Sequence, residues 1–340
     1  MIIRSKAPLR IGIAGGGSDV SPYSDLHAGA VINATINLYA HCTLVPRPNE
    51  NEIGFFSQDT NKFVSVLKGH EYSWEGCSLP LHVGVFKYMS EIYFDKHDPF
   101  NLYTWVDVPW GSGLGASSAL IVAMITAYDE WLEIGLGKYE IAELAYRIER
   151  EYLGMKGGKQ DQYAATFGGI NHMVFSKGTV VVDPLRLKRE IINELEETML
   201  LFYTGKGRDS SDVIEQQIAN IENETPALQN THELVYLVSP IQKALYRGNI
   251  NELAYLIDRS WEIKKKLAHN VSNEHIDRLM YVFKNRGAKA IKISGAGNGG
   301  FMFMIIDPLD KRKITSCYTN EKDDWYDFSF TDRGVESWKL

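Results

Sequence analysis

The chain has 340 residues, 44% of them hydrophobic and 23% charged, and these ordinary globular values exclude a disordered, collagen-like or coiled-coil protein. The formal net charge of −7 gives no basic excess that would indicate nucleic acid, so any polyanionic ligand must be held by locally placed cations. The three cysteines lie far apart without a Cys-x-x-Cys pair, which is typical of a reducing compartment. No apolar run approaches the roughly 18 residues of a membrane helix, and residues 1–14 are too short and too polar for a signal peptide. We therefore expect a cytoplasmic protein without a nucleic-acid or membrane partner, built as two domains or one large one.

Alternating apolar and polar residues predict strands in the first half, and apolar residues spaced by three and four predict helices. The strands are expected at 2–14 (a short strand followed by a second), 31–45, 101–108, 169–174 and 179–182, and the helices at 81–93, 116–131 and 138–153. The early strand pattern is typical of a hairpin rather than of a parallel β-α-β unit.

The charged segment 186–197 is the best candidate for an inter-domain connector, which gives domains at 1–190 and 191–340. The second half is predicted to contain strands at 199–203, 290–294 and 301–306 and helices at 211–223, 226–247, 250–268 and 273–285. Helices mixed with antiparallel strands in two lobes predict an α+β fold class.

The first of two glycine-rich loops lies between the predicted strand 101–108 and the predicted helix 116–131. Its sequence is Gly111-Ser112-Gly113-Leu114-Gly115-Ala116-Ser117-Ser118. Closely spaced glycines bring several N–H groups to one point, and the helix start adds unpaired amides and the positive end of its dipole, so the loop suits a phosphate. The two serines could cap the helix or ligate a phosphate-bound Mg²⁺. An ordinary strand–helix turn explains the loop about as well, and neither a Walker loop nor a Rossmann fingerprint is present.

The second loop, Ser294-Gly295-Ala296-Gly297-Asn298-Gly299-Gly300, lies between two apolar strands. Its small residues permit the close approach of a ligand or another backbone, although the loop alone is a weak signal.

Three segments, in this order, resemble the three motifs of the GHMP kinases (galactokinase, homoserine kinase, mevalonate kinase and phosphomevalonate kinase). They are Ala7-Pro8-Leu9-Arg10 through Gly15-Gly16-Gly17-Ser18-Asp19, then residues 109–119, then residues 295–300. The resemblance covers essentially the whole chain, and three motifs in order are specific where one would be weak. The forms of the first two motifs and the ending 328–338 look like the branch that contains fucokinases and D-glycero-D-manno-heptose 7-phosphate kinases.

The resemblance implies a two-lobed fold with the active site between the lobes. The N-terminal lobe would contain a left-handed βαβ unit, and the C-terminal lobe would be ferredoxin-like. The implied activity is transfer of the γ-phosphate of ATP to the anomeric hydroxyl of D-glycero-α-D-manno-heptose 7-phosphate, giving the 1,7-bisphosphate for nucleotide-activated heptose. The alternatives are a fucokinase or another hexose 1-kinase, a non-catalytic sensor on the same fold, and a dinucleotide-dependent oxidoreductase. A monomer and a homodimer are both left open.

The resemblance implies catalytic roles for Asp161, in the stretch 158–162, and for Arg10. Asp161 would be the base, or the group that orients the sugar hydroxyl, and Arg10 would stabilise charge on the transferring phosphoryl group. A loop-capping aspartate is the plain alternative for Asp161.

The resemblance also implies a set of residues for ATP and Mg²⁺. The ATP-binding set is Pro109, Gly111, Ser112, Gly113, Leu114, Gly115, Ala116, Ser117, Ser118, Gly295 and Gly297. The Mg²⁺ ligands would be Ser117 and Glu149, with Ser118 as a second candidate for the hydroxyl. A solvated, salt-bridged helix face is the alternative for Glu149.

Asp19, with Gly17 and Ser18 beside it, matches the position that binds sugar hydroxyls in galactokinase, although an Asx-type turn is a rival explanation. Gly16 and Gly17 stand where galactokinase has Glu-His, which disfavours galactose and leaves room for a bulkier sugar. A distal sugar phosphate would be held by Lys206, Arg208 and Ser210, for which a solvated loop is the alternative.

Overall fold

The computed structural model describes residues 1–68, 70, 72–93, 99–205, 211–223, 226–318 and 324–340. The residues predicted to hold a distal phosphate, Lys206, Arg208 and Ser210, lie outside the described residues. No helix in the described part of the chain is long and apolar enough to cross a membrane. The cytoplasmic location stays a prediction.

The strands, in chain order, are β1 Ile3–Ala14, β2 Gly29–Pro46, β3 Glu52–Ser57, β4 Lys62–Leu67, β5 Phe100–Val106, β6 Ile170–Ser176, β7 Thr179–Pro184, β8 Met199–Tyr203, β9 Ala290–Ile293, β10 Phe301–Ile305, β11 Trp325–Tyr326 and β12 Glu336–Lys339. The α-helices are α1 Tyr23–His27, α2 Pro80–Tyr93, α3 Ala116–Leu132, α4 Lys138–Tyr146, α5 Gln160–Phe167, α6 Arg189–Thr198, α7 Ser211–Glu222, α8 Pro226–Arg247, α9 Ile250–Lys264, α10 Glu274–Asn285 and α11 Lys311–Thr315. A π-helical segment spans Arg147–Tyr152 and a 3₁₀ turn spans Pro308–Asp310.

The first sheet has the strand order β12-β1-β2-β5-β3-β4, and β6 pairs with β2 and β7. The predicted hairpin is confirmed, because β1 and β2 are antiparallel neighbours. The two short strands expected at 2–14 are one strand with a register shift between Pro8 and Leu9, where proline has no N–H to donate to the ladder. Strands β3 and β5 are parallel, with β4 and α2 between them in the chain.

Helix α3 packs on β1 and β2 and is buried over almost its whole length, as its apolar sequence predicts. The helix predicted at 138–153 is instead α4 followed by the π-helical segment Arg147–Tyr152. A π-helical turn shifts the side chains that follow it relative to an α-helix, and such turns are frequent at functional sites. This segment contains Glu149.

The second sheet has the strand order β11-β8-β10-β9, and all its pairs are antiparallel. The segment predicted as a connector, 186–197, contains helix α6, whose charged residues are on the exposed face while Leu195 is buried. Strand β12 returns to the first sheet, where it pairs with β1, so the sheets do not follow a single division at residue 190. The boundary between 1–190 and 191–340 stays a prediction.

Candidate active site

The two glycine-rich loops contact each other through their backbones. Gly113 has φ +73°, and a Cβ built on it would lie only 2.6 Å from the carbonyl oxygen of Ser294, so this position requires glycine. The amide of Phe301 donates to the carbonyl of Ser112 at 2.8 Å. The loops, far apart in sequence, therefore form one continuous backbone surface.

Helix α3 begins directly after the first loop with Gly115 at its N-cap. Glycine has no side chain to accept from the first-turn amides, so this fully described helix lacks the serine cap that was the plain alternative for the loop. The hydroxyls of Ser117 and Ser118 donate to Glu149 instead. The helix start, with its positive dipole end, thus remains suited to an anion.

Arg10, Asp19 and Asp161 line one cavity together with both loops, and we call it the central cavity. The predicted nucleotide residues that line it are Gly111, Ser112, Gly113, Gly115, Ala116, Ser117, Gly295 and Gly297. Three others are not among its lining: Pro109 is exposed, and Leu114 and Ser118 are buried.

Arg10 and Asp161 form a close ion pair in the central cavity. Nε and Nη2 of Arg10 lie 2.7 and 2.6 Å from Oδ1 of Asp161, and Arg10 is only 4% exposed. Nη1 of Arg10 donates to the carbonyl of Gly113 at 2.6 Å, which links the pair to the first loop. No hydrogen bond from the described residues reaches Oδ2 of Asp161. That oxygen is therefore available to a ligand hydroxyl.

Glu149 is fully buried beneath the first loop, and side chains of four residues approach its carboxylate. Oε1 accepts from Ser117 at 2.8 Å, and Oε2 accepts from Ser118 and from Nε2 of Gln162, each at 2.6 Å. Nη1 of Arg150 lies 3.4 Å from Oε1. The exposed, solvated helix face weighed for Glu149 is therefore wrong, because its carboxylate is fully buried among these donors.

Asp19 is 2% exposed and lines the central cavity. Its Oδ1 accepts from the amide of Gly17 at 3.2 Å, which is the turn interaction expected as a rival explanation, and from Nε2 of Gln160 at 3.0 Å. Ser18 is buried and outside the cavity lining, with its hydroxyl 2.8 Å from the carbonyl oxygen of Gly15. Ser18 therefore supports the loop, whereas Gly17 and Asp19 face the cavity.

Two buried lysines from the second half also reach this region. Nζ of Lys264, on α9, donates to the carbonyl of Gly295 at 2.6 Å, and burial lowers its pKa to about 8. Nζ of Lys292, on β9, donates to the carbonyl of Ile13 at 2.9 Å, and burial holds its pKa well below the usual lysine value. Lys264 lines the central cavity, and Lys292 holds the end of β1.

Residues 80–169 match the GHMP kinases N terminal domain, and residues 241–322 match the GHMP kinases C terminal domain. The chain belongs to the GHMP kinase family. The expected α+β, two-lobed fold class and the expectation of a phosphotransferase that acts on an alcohol group are thereby confirmed.

This GHMP kinase is 42% identical over 339 residues, 99% of both chains, to a protein from Campylobacter jejuni named D-glycero-alpha-D-manno-heptose 7-phosphate kinase. A solved structure from Bacteriodes thetaiotaomicron, described as a D-glycero-D-manno-heptose 1-phosphate kinase, superposes with a TM-score of 0.84 at 37% identity over 99% of both chains. A bifunctional fucokinase/GDP-fucose pyrophosphorylase from Arabidopsis thaliana is 27% identical over 90% of this chain and 30% of its own.

Several polar residues of this GHMP kinase site escaped the sequence reasoning. Gln160 and Gln162 flank Asp161 and hold Asp19 and Glu149, but no local pattern pairs positions so far apart. Lys264 did carry a signal. It follows Ile257, Ser260 and Trp261 at spacings of seven, four and three, which places it on the buried face of α9. Its neighbour Lys265 does not lie on that face.

Proposed function

We propose that this GHMP kinase transfers the γ-phosphate of ATP to the anomeric hydroxyl of D-glycero-α-D-manno-heptose 7-phosphate. The observation that carries the proposal is the central cavity, where Asp161, Arg10 and Asp19 face two phosphate-type glycine loops. The name of the Campylobacter relative, at 42% identity over nearly the whole chain, supports the choice of sugar.

The triphosphate of ATP would lie against the surface formed by the two loops. The backbone of Gly113 and Gly115 and the uncapped first turn of α3 offer N–H groups and a positive dipole end, which favour an anion without a charged side chain. The small residues Gly295 and Gly297 continue this surface along the cavity wall and leave space for a ligand.

The residues below the first loop fit a magnesium ion. Hydroxyl and carboxylate oxygens are ligands that Mg²⁺ takes, and the Ser117 hydroxyl is 2.8 Å from Oε1 of Glu149, so these two side chains would hold the ion. Ser117 lines the central cavity, whereas Ser118 and Glu149 are buried behind it, so Ser117 is the better candidate of the two hydroxyls. Mg²⁺ bound there would supply positive charge to the phosphate oxygens of ATP. Gln162 and Ser118 would keep the carboxylate of Glu149 oriented.

The acceptor hydroxyl would donate a hydrogen bond to the unoccupied Oδ2 of Asp161. The bond between the oxygen of the sugar hydroxyl and the γ-phosphorus would form as the bond from the γ-phosphorus to the bridging oxygen of ADP breaks. The proton of the sugar hydroxyl would pass to Asp161. Arg10, fixed by Asp161 and by the carbonyl of Gly113, would stabilise charge on the phosphoryl oxygens. Asp19, fixed by Gln160, would accept a hydrogen bond from a sugar hydroxyl at Oδ2, which among the described residues accepts only from the amide of Gln160 at 3.2 Å.

The proposal is tested by ADP release in a coupled assay with Mg-ATP and a panel of heptose 7-phosphate, L-fucose, D-mannose and D-galactose. We expect heptose 7-phosphate to give the highest kcat/KM, and we expect a ¹H–³¹P coupling at the anomeric carbon of the product. The coupling matters because the two relatives are named for phosphates at different carbons. Preference for a free sugar would replace the proposed substrate, and the absence of ADP release with every sugar would favour the non-catalytic sensor.

A further inference from the structure

Lys264 is a cation in the central cavity that the mechanism above does not use. It lies at the end of α9, and it is the only cation that the described residues of the second half contribute to the cavity lining. Its side chain is buried, so a charge there carries a desolvation penalty. A purely structural hydrogen bond to one carbonyl does not need a charged donor.

The surroundings fix where the ammonium group lies. Nζ donates to the carbonyl of Gly295 in the second loop, and a Cβ built on Gly16 would be 3.3 Å from it. The room left by Gly16, which was expected to admit a bulkier sugar, is therefore occupied in part by this lysine. An ammonium has three N–H donors, and within the described residues only Gly295 accepts from Lys264, so two donors remain for a ligand.

The charged groups that act on Lys264 are those of the reaction centre. The carboxylates of Asp19 and Asp161 attract its charge, and the guanidinium of Arg10 and the ammonium of Lys292 oppose it. Because the second loop is proposed to face the triphosphate and Asp161 the acceptor hydroxyl, a cation held between them would lie near the γ-phosphate.

Resting on the proposed function, we propose that Lys264 binds the phosphoryl group during its transfer, together with Arg10. The two N–H donors that the protein leaves free would contact the equatorial oxygens of the γ-phosphate, on which charge is spread in the transition state. Lys264 is then a catalytic residue that acts chiefly on kcat, because the contact strengthens as charge is redistributed.

The proposal predicts a pH dependence with a definite sign. Lys264 must be protonated to bind the phosphoryl group, and its pKa is lowered to about 8 in this site. The value of kcat/KM, which reports on the free enzyme, is therefore expected to fall as the pH rises through about 8. If Lys264 acted as a base towards the acceptor hydroxyl, activity would rise through the same range instead.

The test compares Lys264→Met, Lys264→Arg and the control Lys265→Met by steady-state kinetics and by ATP binding measured calorimetrically. Lys265 is the next residue, is partly exposed and pairs with Glu262 at 2.8 Å outside the cavity lining. We expect Lys264→Met to lower kcat about 10²- to 10³-fold, the usual range for loss of one transition-state donor, with ATP affinity little changed. Lys265→Met should behave as the wild type.

Lys264→Arg keeps a charge that does not titrate in this range, so it should retain part of the activity and lose the decline above pH 8. The pH profile of Lys264→Arg also tests whether Lys264 binds the phosphoryl group if Lys264→Met does not fold. An unchanged kcat in Lys264→Met, a rise in the KM for the sugar phosphate alone, or a pH decline that persists in Lys264→Arg would each overturn the proposal. These results require an active wild type, so they are distinguishable from failure of the proposed function, in which the wild type itself releases no ADP.

Discussion

The substitution Asp161→Asn removes the charge of this side chain while it keeps nearly the same shape. Asparagine retains a carbonyl oxygen that can accept from Nε and Nη2 of Arg10, which lie 2.7 and 2.6 Å from Oδ1. Arg10 is also held by the carbonyl of Gly113 and by Oγ of Ser294, so the guanidinium should stay in place. The new amide nitrogen can occupy the position of Oδ2, where no described residue donates a hydrogen bond.

The expected losses differ in size for stability and for catalysis. A charge-assisted hydrogen bond is roughly twice as strong as a neutral one, so the free energy of unfolding should fall by about 1–2 kcal/mol. An amide cannot take the acceptor proton, and loss of a general base lowers kcat by about 10² or more, which corresponds to at least about 2.7 kcal/mol in the activation free energy.

The assay is single-turnover phosphoryl transfer with saturating ATP, together with ATP affinity and urea unfolding for each protein. A matched control is Asp258→Asn, because Asp258 pairs with Lys284 at the same 2.6 Å but is 39% exposed and outside the cavity lining. That control should lose at most about 1 kcal/mol of stability and no activity. A turnover of Asp161→Asn close to that of the wild type would refute the assignment of Asp161.

Three further predictions follow from the same contacts. Ser117→Ala removes the hydroxyl that lies 2.8 Å from Glu149 at the cavity wall, so it should weaken Mg-ATP more than the sugar, and the reverse order in calorimetry would show that the loop is misassigned. Gly113→Ala would place a Cβ 2.6 Å from the Ser294 carbonyl at φ +73°, so the melting temperature should fall, and an unchanged value would contradict the packing of the two loops. The pKa of Lys264 is lowered to about 8 in the folded protein, so the unfolded protein binds more protons between pH 8 and 10.5. The free energy of unfolding of the wild type, measured in urea, should therefore rise by about 3 kcal/mol relative to that of Lys264→Met over this range. A constant difference between the two proteins would show that the pKa is not lowered.

The elements with strong local patterns could be predicted from the sequence. The apolar run at 116–131 corresponds to α3. The alternating apolar and polar residues at 2–14 and 31–45 correspond to β1 and β2. The charged segment at 186–197 does lie between β7 of the first sheet and β8 of the second, but helix α6 was not predicted there, because an amphipathic helix with few buried residues has the composition of a linker. The π-helical turn has no distinctive composition, so a continuous helix was predicted over 138–153, although Glu149 was already a candidate Mg²⁺ ligand.

Part of the candidate site was predictable from the sequence. The glycine loops were found from their own composition, Arg10, Asp161 and Asp19 from the family pattern, and the structure brings them together in one cavity. The contacts that hold them, such as Gln160 to Asp19, join residues brought together by the order of strands and helices rather than by local sequence. Predicting such contacts requires the topology first.

The most direct measurement of the central claim is a crystal structure with a non-hydrolysable ATP analogue and heptose 7-phosphate. The account predicts the triphosphate on the backbone of the two loops, between Gly113 and Gly295, and the anomeric hydroxyl within hydrogen-bond distance of Asp161. Nucleotide bound outside the central cavity, or a sugar whose anomeric hydroxyl is out of reach of Asp161, would contradict it.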